Sequence, residues 1–379
     1  MKITGIICEY NPLHLGHKKQ IDTTRALQGP ESGIVCLMSG NFVQRGAPAI
    51  IDKSLRAKAA LLSGADLVLE LPVTAAVDSA EGFASKGVSI LGRFCSHLCF
   101  GAETGNPDTL ISTARALLSA DFPDKLHAVL DQGLSFPAAR QKALEAMGID
   151  GQVLTKPNNI LAVEYCKAIL AQNSAMKPLP ILRQGDYYDA APDPENPSAT
   201  ALRQLMAQGK DWESFVPAAA RECFAGATLH TTANAERAIL AKLRTMTDED
   251  FANLPFGSEG LWRKLMHAAR KETTLEGILT ATKSKRYTRS RLDRMVLCAF
   301  LGITQKDLNS PAPYARVLAL NDKGREILKL ARKTGHFPNI GENQDDPYQL
   351  LENRCDDLYG LFAEGLLEAP GNQRRIYCI

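Results

Sequence analysis

The 379-residue sequence contains no apolar run approaching the roughly 20 residues that a helix needs to cross a bilayer. Its N-terminus also lacks the basic segment and apolar core of a secretory signal. The nine cysteines are odd in number and show no paired spacing, so they do not form a disulfide framework and fit a reducing compartment. These absences predict a cytoplasmic protein that does not associate with membranes.

A convincing metal-ligand cluster is also missing. Cys95, His97 and Cys99 are the closest group of suitable residue types, but they lie in an apolar segment that we interpret as a buried strand. We therefore expect structural thiols there and predict no structural metal. The sequence shows no internal repeat and no low-complexity tract, so we do not expect a repeat architecture.

Length and composition are those of an ordinary globular protein. A chain of 379 residues exceeds the usual size of a single core, so two domains are expected. The apolar fraction of 45% and the charged fraction of 23% are typical of soluble proteins. The net charge of +2 does not by itself select a class of partner.

The first half alternates short apolar runs with amphipathic stretches. Such alternation predicts a parallel sheet with right-handed helical crossovers. We therefore expect an open, parallel-sheet, Rossmann-like α/β domain over residues 1–210, interrupted by a helical excursion over residues 106–150. The predicted strands are residues 3–8, 33–38, 67–71, 97–100 and 178–182, and the clearest helices are residues 54–62 and 81–91.

The second half has helical patterning without convincing strands. We predict a mostly α-helical domain over residues 211–379, after a loop at residues 189–197 and a helix capped by Ser198. The predicted helices of this domain are residues 236–244, 260–271, 291–301 and 323–333.

The most informative motif is residues 9–17, which follow the first predicted strand and precede a helix. His14 and His17 share one helical face, and Gly16 lets backbone approach a ligand closely. The N–H groups and dipole of the helix N-terminus, with Lys18 and Lys19 in the first turn, favour an anion. We interpret this segment as an ATP site that binds the phosphates.

His-x-Gly-His alone is short enough to occur by chance, so its position has to be considered. The motif lies where the first strand of an open α/β sheet would end, and ligands bind at the carboxyl ends of such strands. This context favours the nucleotide interpretation over a chance match.

Further polar segments follow other predicted strands. Residues 39–46 suit either a loop that folds over a substrate or a surface turn, and residues 101–105 could contact adenine or ribose. Residues 156–159 could supply a helix cap or a ligand contact. Asp66 and Glu70 could hold magnesium or pair with nearby cations, so we leave them unassigned.

Residues 283–291 concentrate five cations around Tyr287. Phosphate backbones attract such segments, although a short basic run is also typical of a solvated helix end or loop. The residues alone leave both interpretations open.

Taken together, these segments resemble bacterial tRNA(Met) cytidine acetate ligases, whose fold belongs with the nucleotidyltransferases that carry His-x-Gly-His signatures. The resemblance covers roughly residues 1–320. Its motifs are residues 9–17, 38–46, 66–72, 100–101, 156–161, Arg183, 198–203 and 283–288. Position 13 is a leucine where relatives are expected to have phenylalanine, and its side chain is not expected to take part in catalysis.

The resemblance implies a two-step ligase. Acetate attacks the α-phosphorus of ATP to give acetyl-adenylate, and N4 of the wobble cytidine (C34) of elongator tRNA(Met) then takes the acetyl group. It implies ATP as co-substrate, with Mg²⁺ expected from phosphate chemistry, and acetate and tRNA as partners; the oligomeric state stays open.

The resemblance also implies residue roles. His14, His17 and Lys18 would act in catalysis by stabilising phosphate charge, and the basic segment would bind tRNA. The implied ATP contacts are Ile7, Cys8, Glu9, Tyr10, Asn11, Pro12, Leu13, His14, Leu15, Gly16, His17, Lys18, Lys19, Gln20, Gly101, Asn158, Asn159, Arg183 and Arg203. The implied tRNA contacts are Lys283, Lys285, Arg286, Tyr287, Arg289 and Arg291.

Two other functions are compatible with parts of the sequence. An adenylyltransferase or cytidylyltransferase acting on a small phosphorylated metabolite would share the histidine chemistry but would need neither the C-terminal residues nor their basic segment. A non-catalytic RNA-binding protein would have no need of intact His14, His17, Arg183 and Arg203.

Overall fold

The computed structural model describes residues 1–183, 197–311, 314–333, 346–368 and 376–379. None of the helices in these ranges combines the length and the apolar character needed to cross a membrane. The strands are β1 Ile3–Cys8, β2 Gly33–Ser39, β3 Phe42–Val43, β4 Ala47–Pro48, β5 Leu67–Leu71, β6 His97–Ala102, β7 Lys177–Leu182, β8 Arg316–Leu320 and β9 Tyr377–Cys378.

Helices connect and cover these strands. The helices that precede β8 are α1 Leu15–Gln28, α2 Lys53–Leu62, α3 Val73–Ala76, α4 Ala80–Leu91, α5 Pro107–Leu118, α6 Phe122–Leu130, α7 Phe136–Glu145, α8 Pro157–Ala171, α9 Ala199–Ala207, α10 Ala218–Phe224, α11 Glu236–Thr245, α12 Asp248–Ala252, α13 Leu261–Lys271, α14 Leu275–Thr282, α15 Arg289–Leu301 and α16 Gln305–Asn309. After β8 follow α17 Asp322–Lys333 and α18 Pro347–Tyr359, and short 3₁₀ turns occupy Gly151–Thr155, Glu213–Phe215 and Gly360–Phe362.

One mixed sheet organises the molecule, with the strand order β7-β6-β1-β2-β5-β8-β9. The five strands from β7 to β5 are parallel, β8 runs antiparallel to β5, and β9 is parallel to β8. The expected open, parallel-sheet α/β fold is confirmed. Each of the five predicted strands is present, with ends shifted by two residues at most.

The central strands are buried on both faces. Ile3 and Ile7 of β1 point into one apolar core, while Ile6 and Cys8 point into the core on the opposite face. This alternation is the two-residue period of a strand, and helices cover both sides. The mostly apolar sequence of β1 is therefore typical of a central parallel strand.

The predicted helical excursion at residues 106–150 is confirmed by α5, α6 and α7. Ser198 caps α9 as expected, because its hydroxyl accepts a hydrogen bond from Ala201 N at 3.1 Å. The predicted loop at residues 189–197 lies, apart from Pro197, outside the described residues.

The expectation that the second half contains no strand is wrong. β8 and β9 come after residue 211 and extend the same sheet beyond β5. Both are short, at five and two residues, and β8 lies between helices, so periodicity alone could not distinguish it from a helix segment.

A third apolar core lies among the helices of the second half. It is built mainly from α11, α13, α14, α15 and α18. Phe42, Val73 and Val77 from the first half also belong to it. The division into domains at residue 210 stays a prediction.

Candidate active site

The candidate site lies where the strand order reverses. The chain passes from β1 to β2 and β5 on one side, and then returns to β6 and β7 on the other side of β1. Ligands of open parallel sheets bind outside the carboxyl ends of the strands at such a switch point. The ligand-binding groups are therefore expected in the segments that follow β1 and β6.

A tight turn joins β1 to α1. Tyr10 is buried with a left-handed φ of 45°, and the Asn11-Pro12 peptide bond is cis. Asn11 Oδ1 accepts a hydrogen bond from Ile50 N at 2.8 Å, which ties the turn to the segment after β4. The turn ends at His14, the N-cap residue of α1, so both histidines lie at the helix N-terminus.

The two histidine rings of the motif stack on each other. Their centroids are 3.6 Å apart and their planes differ by 23°. His14 N donates a hydrogen bond to Nδ1 of His17 at 3.2 Å, so Nδ1 of His17 is an acceptor and its ring proton belongs on Nε2. His14 is 2% exposed, and its buried Nδ1 has no hydrogen-bond partner among the described residues.

Both imidazoles are held in the neutral form. Burial lowers the pKa of His14 well below its ordinary value, and His17, Arg183 and Arg203 lower it further. Burial and then the charge of Arg183 lower the pKa of His17 to about 3. The rings therefore offer N–H donors at neutral pH and no base strong enough to remove protons efficiently.

Two arginines bring positive potential to the same place. Arg203 on α9 donates from Nη1 to Asn11 O at 2.8 Å and from Nη2 to Thr200 Oγ1 at 3.0 Å. Arg183, which follows β7, donates from Nη1 to Asn158 Oδ1 at 3.4 Å. An anion such as a triphosphate is the ligand that this potential favours.

Gly16 has a more specific role than the sequence indicated. A Cβ atom at this position would lie 3.0 Å from Cε1 and 3.1 Å from Nδ1 of His14. The missing side chain therefore leaves room for the ring of His14, and the requirement is set by the histidine pair itself.

The segment after β6 forms the other side of the switch point. A Cβ atom on Gly101 would meet nothing within 4 Å among the described residues, so this strand end borders open space. The carboxylate of Glu103 accepts hydrogen bonds from Asn159 N at 2.7 Å and Asn158 Nδ2 at 2.7 Å, at the start of α8. Asn159 is buried and binds Glu103 N and Thr104 N through its Oδ1, whereas Asn158 lies beside Arg183.

The first turn of α1 directs its other polar side chains elsewhere. Lys18 forms an ion pair with Asp22 at 2.5 Å, one helical turn on, and Lys19 is exposed. Gln20 donates from Nε2 to Cys99 Sγ at 3.7 Å. The structure thus brings His14, His17, Arg183 and Arg203 together, while Lys18 is paired on the helix surface.

Comparisons with known proteins agree with this geometry. A family model described as HIGH Nucleotidyl Transferase matches residues 1–373. A tRNA(Met) cytidine acetate ligase from Clostridium tetani is 37% identical over 404 aligned residues, covering 97% of this chain and 100% of that protein. The chain belongs to the tRNA(Met) cytidine acetate ligase family.

Two solved structures of Thermotoga maritima TmcAL have the same fold. The apo form matches with a TM-score of 0.91 and 30% identity over 100% of both chains. The form bound with alpha-thio ATP matches with a TM-score of 0.88 and 30% identity, covering 100% of this chain and 99% of that chain.

In this member of the tRNA(Met) cytidine acetate ligase family, residues 39–46 lie mostly in a small hairpin formed by β3 and β4. Asn41 is buried, accepts from Lys53 N at 3.0 Å and donates to Asp356 Oδ1 at 3.1 Å. Glu9 Oε1 accepts from Gln44 N at 2.8 Å. The hairpin is therefore fixed both to the end of β1 and to α18.

Sequence reasoning missed Arg56, a fully buried arginine on α2. Its guanidinium donates to the carbonyl oxygens of Glu9 at 2.6 Å, Ser39 at 3.1 Å and also Gly40, and Nε donates to Ile51 O at 2.8 Å. It thereby fixes the carboxyl ends of β1 and β2. The only sequence signal was a cation among the apolar residues of a short amphipathic helix.

The two acidic residues beside β5 pair with cations. Asp66 accepts from Arg25 at 2.8 Å. Glu70 binds the buried ammonium of Lys53, which also contacts Asp356 at 2.7 Å. Structural pairing, one of the two interpretations open from the sequence, is therefore what the structure contains.

The basic segment divides into two parts. Arg289 pairs with Glu276 at 2.7 Å and Asp293 at 2.9 Å, and Arg291 donates to Phe256 O. Arg286 and the hydroxyl of Tyr287 both contact Glu259. Lys283, Lys285 and Arg286 are exposed, while Arg289 and Arg291 link the start of α15 to Glu276 and to Phe256.

The expected thiol environment is present around β6. Cys95 and Cys99 are buried and unpaired, and Cys99 Sγ accepts from Thr24 Oγ1 at 3.1 Å. Within the described ranges, no three His, Cys, Asp or Glu side chains form a group that could hold a metal ion.

Proposed function

We propose that this chain activates acetate with ATP as acetyl-adenylate and transfers the acetyl group to N4 of the wobble cytidine of elongator tRNA(Met). The observation that carries the proposal is the stacked pair of neutral histidines at the switch point, flanked by Arg183 and Arg203. The family relationship supports it, and tRNA as a substrate implies action in the cytoplasm.

ATP is proposed to lie between the turn after β1 and the end of β6. The helix N-terminus and Nε2–H of His17 supply hydrogen-bond donors for phosphate oxygens, and the buried ring of His14 stacks against His17. Arg183 and Arg203 supply the positive charge. Gly101 and Asn158 would border the nucleoside, while Asn159 would hold the loop that carries Glu103.

In the first step, an acetate oxygen attacks the α-phosphorus and the bond to the β-phosphate oxygen breaks, so that pyrophosphate leaves. Acetate is already a nucleophile, and no base is needed. The neutral histidines and the arginines stabilise the charge that develops on the phosphate oxygens. Mg²⁺ is proposed to accompany ATP and neutralise part of the phosphate charge.

In the second step, N4 of the cytidine attacks the acetyl carbonyl carbon, AMP leaves, and N4 loses one proton. The cytidine has to leave its stack to reach the adenylate. We propose that residues 211–379 act as the tRNA-binding domain. Its proposed RNA contacts are Lys283, Lys285, Arg286, Tyr287, Arg289 and Arg291.

The experiment that tests this function combines the purified chain with ATP, labelled acetate and total tRNA. The nucleosides are then analysed by mass spectrometry. N4-acetylcytidine that depends on all three inputs is the expected product. A dinucleotide formed from a small phosphorylated metabolite without RNA would instead support the alternative, a small-molecule nucleotidyltransferase.

Two sets of variants test the division of labour between the halves. His17→Ala should abolish acetyl-adenylate formation, measured by acetate-dependent ATP–pyrophosphate exchange, and leave tRNA affinity largely intact. Lys285→Ala with Arg286→Ala should weaken tRNA binding and leave exchange largely intact. His127→Ala changes an exposed histidine on α6 and is the matched control. Equal loss of both activities in either variant would contradict the assignment.

A further inference from the structure

Arg294 is a buried arginine that connects the second half of the chain to the hairpin beside the candidate site. It lies on α15 and is 8% exposed. Its guanidinium carbon lies 5.0 Å from the ring centroid of Phe256, and Nη1 donates to Gln44 O at 3.3 Å. Nε has no hydrogen-bond partner among the described residues. A cation buried with an incomplete set of partners costs stability, which calls for a functional reason.

Gln44 is held from three directions. Its N–H donates to Glu9 Oε1 at 2.8 Å, its carbonyl accepts from Arg294, and its side-chain Nε2 donates to Asp78 O at 3.3 Å. Glu9 directly follows β1 and precedes the turn that carries the histidines. The backbone N–H of Gln44 binds Glu9 and its carbonyl oxygen binds Arg294, so this single residue links the end of β1 to α15.

The hairpin also touches the backbone of α15. Gly46 has a φ of 79°, and a Cβ atom there would lie 2.3 Å from Arg294 N and 2.5 Å from Asp293 C. The two elements are thus in close contact on both sides of Arg45. Any displacement of the first turns of α15 would be transmitted to the hairpin tip.

The same helix begins inside the basic segment. Arg291 and Arg294 are one turn apart on α15, and both contact Phe256, through its carbonyl oxygen and its ring respectively. RNA that contacts the start of α15 would therefore shift the guanidinium of Arg294, which binds the carbonyl oxygen of Gln44.

We propose that Arg294 is a positioning residue for the acetyl-transfer step, and that it couples the seating of RNA on residues 283–291 to the placement of the hairpin tip at Gln44. This inference rests on the proposed function, because it assumes that the segment meets tRNA. Arg294 acts through Gln44 and does not itself contact the reacting atoms.

The test separates the two half-reactions in the full-length chain. Arg294→Met keeps the length of the side chain but removes its charge and its fork of donors, and Arg294→Lys restores only the charge. Acetate-dependent ATP–pyrophosphate exchange reports the first step, and single-turnover acetylation of saturating tRNA reports the second. Arg244→Met, which changes an exposed arginine on α11, is the matched control.

For Arg294→Met, we expect the rate of acetyl transfer at saturating tRNA to fall about tenfold or more, with exchange within about twofold of the original chain. Arg294→Lys should recover part of the transfer rate. Gly46→Ala pushes the hairpin away from α15 by a change in the hairpin itself. It should likewise slow acetyl transfer and leave pyrophosphate exchange nearly unchanged.

Three results would overturn the inference. These are unchanged transfer in Arg294→Met, a parallel loss of exchange and transfer in both Arg294 variants, or a change confined to the KM for tRNA. The original chain is assayed alongside, and if it makes no N4-acetylcytidine then the proposed function fails instead. The two failures are therefore distinguishable.

Discussion

At the scale of single residues, the proposed chemistry depends on keeping two imidazoles uncharged at a separation of 3.6 Å between ring centroids. Two cations at that distance would repel each other strongly in a buried setting. Burial is the main reason that the neutral forms are favoured, and the nearby arginines and the hydrogen bond from His14 N to Nδ1 of His17 add to it. In the proposed site the arginines would therefore provide charge, and the histidines would provide oriented donors.

Gly16→Ala tests whether catalysis requires the ring of His14 to stay in its observed position. The added Cβ would lie 3.0 Å from Cε1 of His14, so the ring has to shift. We expect kcat/KM for ATP in pyrophosphate exchange to fall about tenfold, with little change in thermal unfolding. Gly365→Ala, at an open position with nothing within 4 Å, is the control. Unaltered exchange in Gly16→Ala would show that the position of the His14 ring does not matter.

At the scale of elements, buried charges fix the strand ends that carry the site. Arg56 donates to carbonyl oxygens at the ends of β1 and β2, and Lys53 binds Glu70 on β5 and Asp356 on α18. Such groups were not predictable from local pattern, because Lys53 and Asp356 are 303 residues apart in sequence. The strands themselves were predictable, since β1, β2 and β5 are short, mostly apolar runs bounded by polar turns.

Arg56→Lys measures how much the stability of the carboxyl ends of β1 and β2 depends on the guanidinium of Arg56. A lysine can satisfy fewer of the carbonyl groups that Arg56 binds, and it leaves the others buried without a donor. We expect a loss of about 2–4 kcal/mol in the free energy of unfolding, measured by urea denaturation, together with weaker ATP binding. Arg237→Lys makes the same change at an exposed position on α11 and should be close to neutral. A neutral Arg56→Lys would contradict this account of the strand ends.

At the scale of the whole molecule, the second half is built into the first. β8 pairs with β5, and Glu352 on α18 accepts from Val73 N at 2.7 Å. Phe42 of the hairpin packs in the core of the second half. The helical character of this half was predictable from periodicity. Its participation in the sheet was not, because a five-residue strand between helices has no distinguishing period.

Because of Glu352, which binds Val73 N, the free energy of unfolding is expected to depend on pH. Burial and the charge of Glu70 raise its pKa from 4.5 to about 8. Between these values the folded chain holds a proton that the unfolded chain has released, so the free energy of unfolding falls as pH rises through this window. Below it both states are protonated, and above it the contribution no longer changes.

Glu352→Gln removes that proton equilibrium and keeps an acceptor for Val73 N. The unfolding temperature of the variant, relative to the original chain, should therefore rise between pH 5 and pH 8, as measured by calorimetry across that range. Glu326→Gln, an exposed change on α17, should follow the original chain at every pH. A constant difference between Glu352→Gln and the original chain would show that Glu352 is ionised in the folded state.

The most direct measurement is a crystal structure of this chain with a non-hydrolysable ATP analogue. The account predicts phosphate oxygens within hydrogen-bond distance of Nε2 of His17 and of the guanidinium groups of Arg183 and Arg203, with the adenosine beside Gly101. A triphosphate bound away from the turn after β1, with the two imidazoles still stacked and without contact to it, would contradict the account.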